Sequence, residues 1–390
     1  MISAHHCRVE TSLDDELKRF WEVEEVPQTV LPAPDDDHCE GHFVSTHSRT
    51  SEDRYVVRLP FRSGPSINVG SSRSRAVRCL AALTRRLLTK PEQRRAYDEF
   101  LREYELLGHM RRALRTAISN ASSQAVYIPH HPVFRAHSTT TKLRVVFNAS
   151  SPTTNGTSLN DHLVAGPKLQ TDLSSVLLRW RNFKYVCSAD VEKMYRQIQI
   201  DSRDLNYQRI LWRPAPDDEP REYHLMTITY GMSCVPFLAL RVLRQLMMDD
   251  RNDFPLAAPL LQNNIYVDDV LFGSDDIEKT IEIRNQLTAL LRRGGFELRK
   301  WSGNSATLLA DLDEANHGLA CTRTLAADER VKILGIDWTP VGDDFQVSVS
   351  LPACIPESKR SILSTIAKLY VPLGWVTPVT ISAKIFMQHL

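Results

Sequence analysis

The sequence predicts an α+β fold built on a largely antiparallel sheet. Apolar residues recur at three- and four-residue spacings in some segments and form short strand-type runs in others, so both element types are present. Their order is strand, helix, strand, hairpin, helix, strand, which suits an α+β arrangement better than a doubly wound parallel sheet. Two strand-type runs, Ile265-Tyr266-Val267 and Val270-Leu271-Phe272, also flank a pair of aspartates, as a β-hairpin would.

Residues 1–75 read as an irregular lead-in with short strands, the clearest being Tyr55-Val56-Val57-Arg58-Leu59-Pro60-Phe61. From about 76 to 117 the spacing is helical, through Leu80, Leu83, Leu87 and Leu88, then Tyr97, Phe100, Leu101, Tyr104 and Leu107. Lys90-Pro91-Glu92 marks a break between two helices. Lys142-Leu143-Arg144-Val145-Val146-Phe147 alternates charge with apolar residues before turning wholly apolar, the pattern of a strand. Segments 207–212 and 223–228 flank a Pro/Asp-rich turn at 214–220 and read as a hairpin. Segment 235–248 is a strongly apolar helix. Segment 276–293 is another, with acids early and Arg292-Arg293 late, as the helix dipole favours, and Gly294-Gly295 stops it. Segments 331–338 and 345–349 read as strands, 357–370 and 378–390 as helices.

At 390 residues the chain has room for two or three domains. A net charge of +1 does not by itself announce a nucleic-acid binder, but residues 71–120 hold 12 Arg or Lys against 5 Asp or Glu. That local excess suits either a phosphate backbone or a solvated helix surface. Seven cysteines are scattered without a Cys-x-x-Cys pair, which argues for a reducing compartment and against a disulfide framework. The start of the chain lacks a signal-peptide pattern, and no run approaches the ~20 apolar residues of a membrane helix. His38-Cys39-x-x-His42 with His47 is too irregular for a zinc site.

Asp-Asp occurs at several places, among them 249–250, 275–276 and 343–344, but only Asp268 and Asp269 lie between two apolar runs. Burying two anions there is costly unless cations neutralise them, and a site of carboxylate oxygens alone suits a hard ion such as Mg²⁺. A further carboxylate is expected to bridge two ions; Asp190 is the candidate, at the end of the strand-type run Phe183-Lys184-Tyr185-Val186-Cys187-Ser188-Ala189. The N–H groups following it, at Val191 and Glu192, are placed to cradle a phosphate. If the hairpin turns at Val267-Asp268, one of these residues is expected at positive φ, unusual for a β-branched side chain.

These two segments resemble motifs A and C of reverse transcriptases, with Tyr266-Val267-Asp268-Asp269 as the polymerase signature. The wider text resembles the BEL/Pao class of long-terminal-repeat retrotransposon polyproteins. The resemblance lies in Tyr127-Ile128-Pro129-His130-His131-Pro132-Val133-Phe134, Ser158-Leu159-Asn160-Asp161, Gly166-Pro167-Lys168-Leu169-Gln170 and Pro372-Leu373-Gly374-Trp375-Val376-Thr377-Pro378. It runs from about residue 15 to the last residue.

The resemblance implies a right-hand polymerase with fingers, an antiparallel palm and a thumb, behind a mixed N-terminal extension. Residues 1–75 are then the lead-in, 76–120 a basic helical segment, 121–330 fingers and palm, and 331–390 a primer-grip hairpin and partial thumb. It implies RNA-directed DNA synthesis with two Mg²⁺ ions, or Mn²⁺, held by Asp190, Asp268 and Asp269. Lys300 protonates the leaving pyrophosphate. Lys142 and Arg144 contact the triphosphate, Tyr195 excludes a 2′-hydroxyl, and Tyr230-Gly231 approaches the nucleotide or template. Leu334, Gly335 and Trp338 hold the primer end. Implied partners are an RNA or DNA template with primer, a deoxynucleoside triphosphate (dNTP), and the protease, RNase H and integrase of the same polyprotein. No membrane is implied, and the expected setting is cytoplasmic, within virus-like particles. The sequence departs from the family at Asn148, where an aspartate is expected, which raises a decayed nucleic-acid-binding remnant as an alternative. A Pao-type aspartic peptidase is a further alternative, but the chain has neither Asp-Thr-Gly nor Asp-Ser-Gly.

Overall fold

The computed structural model describes residues 34–64, 67–113, 124–134, 143–215, 218–312, 331–346, 358–367 and 372–389. Its centre is a four-stranded antiparallel sheet in the order β10 (Ile265–Tyr266), β11 (Asp269–Ser274), β6 (Tyr185–Val191), β12 (Leu298–Gly303).

Both faces of this sheet are covered, which explains why its strands read as apolar runs rather than clean alternation. Side chains still alternate sides. Val270 and Phe272 point to one face, where they join the main core with helices α6 (Val235–Asp250) and α8 (Ile277–Arg293). Leu271 and Val186 point to the other, against Val176, Leu177 and Trp180 of α4 (Leu173–Arg181). Helix α8 begins as its sequence predicts: the Asp276 side chain accepts from the Lys279 N–H at 2.7 Å, and Gly294 closes it.

Smaller sheets surround this core. The hairpin of β8 (Arg209–Trp212) and β9 (Arg221–Leu225) forms as expected and pairs with β3 (Met110–Arg112). The latter falls where the sequence reading continues a helix; the helical pattern gives α2 (Arg73–Leu88) and α3 (Pro91–Leu106), then ends. A hairpin of β4 (His130–Phe134) and β5 (Leu143–Phe147) lies nearby.

The lead-in is more ordered than its sequence suggests. Helix α1 (Pro34–Thr46) opens with Asp35, Asp36 and Asp37 in its first turn, where the helix dipole favours anions. Cys39, Phe43, Tyr55, Val57, Leu59 and Phe61 are all buried in the main core. Strand β2 (Tyr55–Val57) pairs in parallel with β7 (Gln199–Ile200), and Arg58 grips the buried Asp204 through two nitrogens at 2.7 and 3.1 Å. Its weak periodicity hid this, because short elements leave too few residues to show a repeat.

The 331–338 segment is a hairpin rather than one strand. β13 (Val331–Ile333) turns at Leu334 and Gly335, with φ of +50° and +89°, into β14 (Ile336–Thr339), which pairs with β15 (Asp344–Gln346). Helices at Lys359–Ile366 and Thr377–His389 agree with the sequence. Among the described residues no helix is long and apolar enough to cross a membrane.

Candidate functional site

The antiparallel register sets Asp190 of β6 directly opposite Asp269 of β11. Residues so paired have Cα atoms about 4.5–5.5 Å apart and side chains on one face. Two distant segments thus bring their carboxylates together, an arrangement that is repulsive without a cation.

Asp268 sits in the two-residue turn joining β10 to β11, because Tyr266 pairs with Asp269. Such turns need positive φ at a central residue, a place usually given to glycine. Val267 takes it, with φ of +58°, as the sequence reading anticipated for this turn. The Asp268 carbonyl accepts from the Val191 N–H at 2.7 Å, tying the turn to the end of β6.

Burial, then the charges of Asp268 and Asp190, push the Asp269 carboxyl up to about 7. Burial, then Asp190, also raises that of Asp268, while Lys300 and Arg144 pull it back. This second effect places the exposed Arg144 of β5 within electrostatic reach of the acids. The phenol of Tyr195 is raised by burial and by the Asp268 charge, so it too borders the site.

Lys300 Nζ lies 3.1 Å from Asp190 Oδ2. A bulge in β12 puts it there. Arg299 pairs with Asp190 and Ser302 with Ser188, so two residues oppose the single Ala189, and Lys300 takes φ of +54°. The extra residue re-aims a side chain that regular alternation would turn away from Asp190. Arg299 meanwhile pairs with Glu192 at 2.6 Å.

Among the described residues no three Asp, Glu, His or Cys side chains are already gathered into a metal-binding set. The donor chemistry nevertheless fits a hard divalent ion: all-oxygen ligands, neighbouring negative charges, and two carboxyls raised by burial and then by mutual repulsion. The side chains would have to re-aim to close on one.

Other sequence-stated roles fare differently. The N–H groups of Val191 and Glu192 are not free for a phosphate: they donate to Asp268 and to the Glu297 carbonyl, at 2.7 and 2.8 Å. Both serve to pin the site's own backbone. Gly231, at φ of +103°, is required by close approach to β5; a Cβ there would lie 2.1 Å from the Phe147 carbonyl oxygen. Tyr230 packs edge-on against Phe147, with ring centroids 5.3 Å apart. This loop therefore packs against the strand carrying Arg144. Trp338 is a core residue, fully buried against Trp180 at 4.9 Å, while Leu334 and Gly335 form the accessible turn. Lys142 lies outside the described residues. His38 Nε2 and His47 Nδ1 bond the backbone carbonyls of Phe61 and Phe43, and Cys39 is buried in the core.

Asn148 does not disturb its strand. Its N–H donates to the Pro129 carbonyl at 2.8 Å and its carbonyl accepts from Ser151 at 3.2 Å, so main chain alone holds the turn after β5.

Two amides escaped the sequence reading. Asn160 joins loops, donating to the Gly231 carbonyl at 3.0 Å and accepting from the Ser233 N–H at 3.0 Å. Gln170 donates to the Ile265 carbonyl at 2.8 Å and accepts from the Val267 N–H at 2.9 Å. Both fall in text segments that carry the family resemblance, but an uncharged amide gives no chemical signal in sequence.

A family model described as a Pao retrotransposon-like RNaseH-like domain matches residues 358–390. The match supports an origin in a BEL/Pao retrotransposon Pol polyprotein. It lies within the stretch that the sequence reading assigns to a partial thumb, and its description is RNase H-like. No curated protein matches the chain.

Proposed function

We propose that this chain is the reverse-transcriptase portion of a BEL/Pao-type Pol polyprotein, extending a primer 3′ end on an RNA or DNA template with dNTPs. The observation that carries this reading is the pairing of Asp190 with Asp269 beside a strained Val267-Asp268 turn. Three carboxylates are thereby concentrated at the end of a rigid sheet, with Lys300 the cation in contact among the described residues. Rigid placement on strands is what two-metal phosphoryl transfer demands.

Asp190, Asp268 and Asp269 would hold Mg²⁺ or Mn²⁺. When bound, such ions supply charge neutralisation at the phosphoryl oxygens. The chain's own groups do the rest. Arg144 meets the triphosphate from the neighbouring hairpin. Tyr195 lies beside the sugar as a steric gate. Lys300, tethered to Asp190 in this state, is positioned to hand a proton to the departing pyrophosphate.

The test is primer extension on poly(rA) with Mg²⁺ or Mn²⁺. Wild-type protein should add nucleotides, and the Asp190→Asn, Asp268→Asn double variant should not; equal activity in the two rejects the site. Filter binding alongside separates an active enzyme from a remnant that binds primer–template, with strong salt dependence, yet incorporates nothing.

An RNase H-like nuclease has the family match in its favour. Hydrolysis of that kind also draws on carboxylate-held metal ions, and residues 358–390 contain no Asp or Glu. That segment alone cannot supply the chemistry. Cleavage of the RNA strand of a hybrid, surviving the double variant, would favour this second reading.

A further inference from the structure

We infer that Gln170 is a positioning residue that holds the acidic hairpin in its strained shape. This rests on the polymerase reading for its kinetic consequence, though not for its structural one.

Strand β10 is two residues long and lies at the edge of the central sheet, paired on one side only by β11. Its outer backbone groups therefore lack a strand partner. Gln170 supplies one. Its Nε2 donates to the Ile265 carbonyl and its Oε1 accepts from the Val267 N–H, at 2.8 and 2.9 Å. A carbonyl and an N–H two residues apart are what a neighbouring strand would engage, and a planar amide carries one donor and one acceptor to match them.

The residue so gripped is the strained one. Val267 is half-exposed, with little packing to enforce φ of +58°. A β-branched residue keeps that conformation only where its surroundings over-determine it. Gln170 and the Val191 bond to Asp268 grip the two sides of this turn. The amide is anchored in turn: Nε2 also reaches the Thr171 carbonyl at 3.2 Å, and Thr171 Oγ1 donates to the Gln262 carbonyl at 3.2 Å. Fixing the Val267 amide plane fixes the backbone from which Asp268 and Asp269 project.

The experiment compares Gln170→Met, similar in length without either polar group, with Gln170→Glu, which keeps the acceptor and loses the donor. Amide hydrogen exchange at Val267 is read in each. Gln170→Met should speed exchange there by about tenfold, with the rest of β6 and β11 still protected. Gln170→Glu should retain protection at Val267. In primer extension, Gln170→Met should lower kcat by about tenfold with the KM for dNTP little changed, as loss of alignment rather than of substrate contact predicts. Unchanged Val267 exchange in Gln170→Met overturns the inference. A wild-type chain that incorporates nothing while the exchange difference appears removes the polymerase reading and leaves the clamp standing.

Discussion

The chain carries the same dipeptide in two settings that differ in one respect. Asp249-Asp250 closes helix α6, and the fold has already answered its charge. Asp249 accepts from Tyr55 Oη at 2.5 Å and from Gln245 Nε2 at 2.7 Å; Asp250 meets Arg49 at 3.2 Å and Arg293 at 2.9 Å. Asp268-Asp269 opens a strand at the hairpin turn, faces a third acid, and among the described residues has one lysine in contact with the group, on Asp190. The first pair cross-links the lead-in to helices α6 and α8. Among the described residues the second is left electrostatically unfinished, and such an imbalance marks a candidate functional site. Sequence alone distinguishes the two only by their flanks.

The largest expected effect lies on the unfinished side. Asp190→Asn removes one of the three proposed ligands and the partner of Lys300. Incorporation should fall by about 10²–10³-fold, while the thermal midpoint in metal-free buffer holds or rises, since a repulsive charge has gone. A fall in both would make Asp190 a structural residue and erase the contrast with Asp250.

Lys300→Met comes next. If the lysine serves as the proton donor, kcat should drop by about 10²-fold. Removing its charge should at the same time tighten Mn²⁺ binding to the nucleic-acid-free protein about three- to tenfold, because a cation no longer competes at Asp190. Mn²⁺ titration followed by electron paramagnetic resonance reads this directly. Weaker Mn²⁺ binding would mean that Lys300 organises the acids rather than standing in for the metal.

The finished pair gives the opposite signature. Asp250→Ala should leave incorporation near wild type and cost about 1–3 kcal/mol of stability, read from the denaturant midpoint, since Arg49 and Arg293 lose a buried partner.

Where the chain declares its structure depends on how much each element must say. Helices α6 and α8 span four turns or more and state their periodicity many times over; their ends fall within two residues of the sequence reading. The acidic hairpin is legible for another reason: charge between apolar runs is costly enough to need explaining. Helix α1 and β3 were not legible, the one because its apolar face is little more than Cys39 and Phe43, the other because three residues carry no period. At Val191, Glu192 and Gly231 the string does not show the backbone around them: the two N–H groups donate within the protein and Gly231 closely meets Phe147, and such bonds and approaches depend on register. The helices and the acid triad belong to sequence; the clamps around them belong to the fold.

The smallest effect is also the one that reads the unfinished charge most directly. In the folded chain the Asp269 carboxyl titrates at about 7, against an ordinary aspartate value of 3.8. A carboxyl raised by folding binds its proton more tightly in the native state. Its contribution to stability is therefore fully present below about pH 4 and is lost as the pH climbs through 7. Metal-free protein should melt lower at pH 8 than at pH 5. Asp269→Asn should flatten that dependence and raise the pH 8 midpoint by ~2–4 °C. Mg²⁺ should stabilise wild type more at pH 8, where the carboxylate is available, than at pH 5, where a proton holds the place. The Asp250→Ala variant should keep the same pH dependence from a lower midpoint. If Mg²⁺ instead stabilised equally at both pH values, its site would not include Asp269, and the acid pair at 268–269 would divide into one ligand and one neighbour.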